Sequence, residues 1–74
     1  MRAIYAELSK KTLSLMDEGK ISIDLPDGVV MNRRLGSRSC YFICDENLLD
    51  KDQKELIKDV GGQLDDLGVN WQES

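Results

Sequence analysis

The chain has 74 residues, 41% of them hydrophobic and 32% charged, with a formal net charge of −4. That length holds one small domain, residues 1–74, and the composition excludes disorder and a bilayer-embedded class. No apolar run approaches the ~18 residues that span a bilayer, and MRAIYAELSKK turns charged before a signal-peptide core could form, so a cytoplasmic protein with no membrane attachment is expected.

In chain order, Ile4, Leu8, Thr12 and Leu15 recur three or four apart between Ala3 and Glu18, which is helical spacing, and Gly19 supplies a stop. A strand over residues 1–5 followed by a helix from Ser9 is the alternative. Leu13 falls off the stripe and is expected at the surface or against a partner. Ile21, Ile23 and Leu25 then alternate with Ser22 and Asp24, the period of a half-buried strand. Pro26-Asp27-Gly28 has turn chemistry: proline presets φ, aspartate caps locally and glycine accepts positive φ. A returning strand is expected over residues 29–34, a second turn at Gly36-Ser37 and a third strand over residues 39–44.

The last element is a helix from about Asp50 to Leu67, with Leu56, Ile57, Val60, Leu64 and Leu67 on one face. Asp50 and Gln53 have capping-box spacing, and Gly68 suits the C′ position. Gly61-Gly62 conflicts with the helix at up to about 1 kcal/mol per glycine relative to alanine. Close packing against the sheet is the expected reason, and Trp71 is expected to fold back over the core edge. The product is an α+β domain of order α-β-β-β-α: a three-stranded antiparallel meander with two helices packed on one face.

Chemistry is sparse. Structural zinc needs about four ligands, and the chain has no histidine and two cysteines. On a strand Cys40 and Cys44 lie about 13 Å apart at ~3.3 Å per residue, beyond disulfide reach, so they are expected to pack in the core with Phe42. A cysteine nucleophile would lack its usual base. No phosphate-binding loop or dinucleotide fingerprint occurs. No catalytic residue, metal or cofactor is therefore expected, and the protein is expected not to be an enzyme.

Two recognition surfaces remain. Arg33, Arg34 and Arg38 flank the second turn, where guanidinium groups can fork onto phosphate or carboxylate. The α-β-β-β-α order resembles double-stranded-RNA-binding domains, in element order alone. Such domains place a lysine-rich turn before their last helix, whereas this chain has the net-acidic DKDQKE. Charge is also uneven: residues 39–74 carry three Lys against nine Asp/Glu. Nucleic-acid binders draw affinity from a basic field, so the imbalance points away from nucleic acid and towards a protein with a basic surface.

The other surface is the second sheet face. If Cys40, Phe42 and Cys44 point to the helices, Tyr41 and Ile43 point away, with Val30 and Arg34 beside them, an interface composition. The expected function is a non-enzymatic protein-interaction module acting stoichiometrically, as a homodimer or on a larger partner. A phage-type inhibitor of a host nuclease or nucleic-acid-binding complex fits it. Val30, Arg34, Tyr41 and Ile43 would anchor the partner, and Asp59, Asp65 and Asp66 would steer it. The alternative is an RNA- or phosphate-binding module using Arg33, Arg34 and Arg38.

Overall fold

The computed structural model describes residues 2–34 and 36–73. In chain order it forms β1 (Ala3–Glu7), α1 (Lys10–Asp17), β2 (Val29–Arg33), β3 (Ser39–Cys44), α2 (Asp50–Asp66) and β4 (Trp71–Glu73). The α+β class stands, but the three-stranded meander is replaced. The sheet has four antiparallel strands in the order β2-β3-β1-β4. Only the β2–β3 hairpin survives from the expected sheet. The arrangement is the split β-α-β pattern, and the likeness to double-stranded-RNA-binding element order ends with it.

The first correction lies in residues 3–8. Ile4, Ala6 and Leu8 are at most 1% exposed, while Tyr5 and Glu7 point the other way. Ile4 and Leu8 fit a helical stripe and a strand face equally well, and Ala6 decides for the strand. Pairing with β3 and β4 on its two sides makes β1 a central strand. The helix starts only after Ser9, whose Oγ accepts the Thr12 N–H at 3.1 Å, an N-cap contact. The alternative of a strand and then a helix from Ser9 is the arrangement adopted.

The second correction is that residues 21–25 form no strand. Asp24 has its backbone N–H and C=O both bonded by the side-chain amide of Gln63, each at 2.7 Å. That amide does for Asp24 what a neighbouring strand would do, and Ile23 packs against the core.

One sheet face supplies Ile4, Ala6, Cys40, Phe42 and Cys44 to the core, and α2 supplies Ile57, Val60 and Leu64. Each large side chain so buried contributes about 1.5–3 kcal/mol. Leu13 and Met16 of α1 pack against the same cluster, so Leu13 is not the surface residue its spacing implied. At the start of α2, Leu49 is the N-cap and makes no side-chain cap bond, so the expected capping box is absent. Gln53 is buried instead. Its Oε1 accepts the Arg2 N–H at 3.2 Å and its Nε2 donates to the Leu48 carbonyl at 2.9 Å, tying β1 to the loop before α2. Gly68, at φ +72°, takes the expected C′ position. What Gly61 admits is the Trp71 indole, since a Cβ there would overlap the ring, while Gly62 faces open space.

Candidate interaction surface

Strand alternation sends the other parity of side chains to the opposite face. Register aligns Gln72 with Tyr5, Tyr5 with Tyr41 and Tyr41 with Asn32, so one row crosses all four strands. The adjacent row holds Ala3, Ile43 and Val30. Val30 is 64% exposed and Tyr41 42%, whereas Ile43 and Tyr5 are half-buried. The Tyr5 and Tyr41 rings meet at 5.2 Å between centroids, tilted by 56°, a favourable aromatic geometry. Tyr5 Oη also shares a hydrogen bond with Ser39 Oγ at 3.2 Å. The tyrosine pair is thus fixed by contacts within the chain.

Glu7 is the only carboxylate at these strand positions, and it lies 3.3 Å from Arg38. The protein's acidity is carried elsewhere. Asp59, Asp65 and Asp66 are exposed on α2, which packs on the opposite face. Asp59 accepts from Gln63 Nε2 at 3.0 Å and Asp65 from Trp71 Nε1 at 2.9 Å. Val30, Tyr41 and Ile43 come together on one side, then, and the three acids stand on the other.

The arginines do not converge. Arg33 has the core-side parity, and its Nη1 lies 3.6 Å from Asp17 of α1. Arg38 turns to Glu7. Arg34, exposed just after β2, makes no ion pair among the described residues. Tyr5 and Gln72 are not among the residues the sequence singles out, because the helical spacing from Ala3 to Glu18 puts Tyr5 beside a helix stripe and the residues after Gly68 carry no periodic signal. The alternation Ile4-Tyr5-Ala6-Glu7-Leu8 was the available signal for Tyr5.

Cys40 and Cys44 are free and buried. Burial pushes both thiols up, against Arg33 for Cys40 and Arg2 for Cys44, which opposes thiolate chemistry. A polar recess of about 350 Å3 opens beside Ser9, Thr12, Arg38 and Asn70. The Ser9 hydroxyl there is bonded to Thr12 Oγ1 and to the Thr12 N–H, so it serves the helix cap. No cluster of three or more metal-ligating side chains occurs among the described residues, and no described helix is long and apolar enough to cross a membrane.

Comparison with protein-family models, curated proteins and solved structures returned no match. Fold and surface define a small α+β unit of two helices and a four-stranded antiparallel sheet, with Tyr5 and Tyr41 side by side on one sheet face.

Proposed function

We propose that the protein is a non-enzymatic interaction module that binds a protein partner stoichiometrically through the open sheet face. The observation that carries this reading is the exposure of Val30 and Tyr41 beside Ile43 and a pre-packed Tyr5. Tyrosine and arginine are among the residue types enriched at the anchors of protein interfaces.

Tyr41 and Val30 supply buried area, and Arg34 a fork for a carboxylate at the rim. The α2 acids cannot touch a partner seated on the opposite face, so they act at a distance, orienting a basic partner during approach. Proteins that handle nucleic acid carry such basic fields, and blocking one is the work of a phage-type inhibitor. Free buried thiols suit a reducing cytoplasm.

The test begins with a host-lysate pull-down and mass spectrometry, followed by calorimetry on the captured partner. Tyr41→Ala is expected to weaken binding at least about tenfold, equivalent to about 1.4 kcal/mol, and to lower binding by more than it lowers folding stability. A partner bound as tightly by Tyr41→Ala and Val30→Asp as by wild type excludes the reading.

A second reading has one observation in its favour, the row Gln72-Tyr5-Tyr41-Asn32. Aromatic rings on a sheet stack bases, and flanking carboxamides can bond base edges. Titration of single-stranded RNA and DNA at low salt decides it, since absence of binding there removes it.

A further inference from the structure

β2 is an edge strand with little to keep other strands away. It is five residues long and its register with β3 runs without a bulge. It contains no proline and no charge before Arg33. The opposite edge, β4, has only three residues. Long unguarded edges template pairing with another chain.

Alternation shows which backbone groups are free. The Gly28 carbonyl accepts the Asp45 N–H at 2.7 Å, so Gly28, Val30 and Asn32 bond towards β3, and Val29, Met31 and Arg33 point outwards. The Val29 N–H is taken by the Pro26 carbonyl at 3.1 Å. The Val29 carbonyl and both backbone groups of Met31 and Arg33 have no partner among the described residues.

We propose that this edge binds a second copy of the chain through antiparallel β2–β2 pairing about a two-fold axis at Met31. In that register Met31 exchanges two hydrogen bonds with its symmetry mate, and each Arg33 N–H donates to the other copy's Val29 carbonyl. All five residues of each strand are paired. Sliding the register one way leaves the Arg33 N–H unmatched. Sliding it the other way brings the two Arg33 side chains within two residues of each other on one face, where like charges repel. At the Met31 register each Arg33 stands opposite Val29, and Val30 meets Asn32 of the other copy. The two open faces then lie on the same side of one continuous eight-stranded sheet, an isologous contact. A single strand pair is small beside the ~1,200–2,000 Å2 of a standard interface, so the dimer is weak and concentration-dependent.

This inference stands apart from the partner site on the open face, and its test separates the two. Sedimentation equilibrium of the full chain, from about 10 μM to about 1 mM, is expected to show reversible monomer–dimer exchange. Arg33→Pro deletes an outward N–H while leaving the β3 ladder and the open face intact. It is expected to weaken the dimer at least about tenfold, since one bond is lost in each of the two symmetric copies. Arg33→Ala, which keeps the N–H, and Tyr41→Ala are expected to dimerise as wild type does. Should Arg33→Pro fail to fold, amide exchange on wild type decides, with the Met31 and Arg33 amides slowing as concentration rises. A monomer throughout the range, or a dimer lost in Tyr41→Ala and kept in Arg33→Pro, overturns the inference. Neither result alters the Tyr41 partner-binding outcome.

Discussion

Gly61 and Gly62 adjoin in sequence but lie about 100° apart around α2, and their surroundings give them opposite roles. Gly61 is buried under the Trp71 indole, whereas nothing stands within 4 Å of a Cβ built on Gly62. Gly62→Ala should therefore stabilise the protein by about 0.5–1 kcal/mol through helix propensity alone. Gly61→Ala should destabilise it by about 1–3 kcal/mol, because displacing the ring costs more than the propensity gains. Urea unfolding of both variants, followed by Trp71 fluorescence, measures both signs, and equal shifts would mean that Trp71 does not rest on Gly61. The glycine pair was visible in the sequence as a conflict with the helix. Which glycine carried the close approach was not, since that depends on where residue 71 returns. Cys40, Phe42 and Cys44 were fully legible, because strand parity needs no tertiary information.

At the scale of elements, the segment from Gly19 to Gly28 has the alternation of a strand but no strand beside it. Its backbone is held by the Gln63 amide, which occupies both polar groups of Asp24. Gln63→Ala should cost about 1–2 kcal/mol and raise the exchange rate of the Asp24 amide, while the β3 amides keep their protection. Unchanged exchange at Asp24 would show that contacts other than the Gln63 amide hold the segment. Period-two patterning reports a half-buried extended chain, and it cannot tell a ladder partner from a side-chain amide. The same ambiguity, read the other way, hid β1: five residues gave too short a window to separate a strand face from one and a half helical turns. β4, at three residues, carried no periodic signal.

For the whole molecule, Arg2 clasps parts distant in sequence. Its Nε and Nη2 fork onto Asp50 at 2.9 and 3.2 Å, and its Nη1 reaches Glu73 at 2.7 Å. The start of β1, the start of α2 and the end of β4 meet at one guanidinium. The hydrogen bonds from Arg2 hold the Asp50 carboxyl below its ordinary value of 3.8. A lowered folded-state value means that Asp50 contributes stability above pH 3.8, and that this contribution is lost as pH falls through the lowered value. Asp50→Asn should thus melt below wild type near neutrality, and the two melting curves should converge in stronger acid. A gap that persists unchanged at low pH would assign the effect to something other than the carboxylate charge.

By itself the sequence determined the α+β class, the β2–β3 hairpin, the long helix and the side-chain parity of β3, because each depends on a local period or a turn residue. Tertiary structure alone decided that β1 and β4 pair side by side, since two short strands become sheet only when each finds the other's backbone. It also decided which surfaces act together. Tyr5 came to stand beside Tyr41, Arg33 and Arg38 went to separate carboxylates, and the acids of α2 went to the opposite face. Strand order sets those neighbours across four chain segments, and no local pattern encodes strand order.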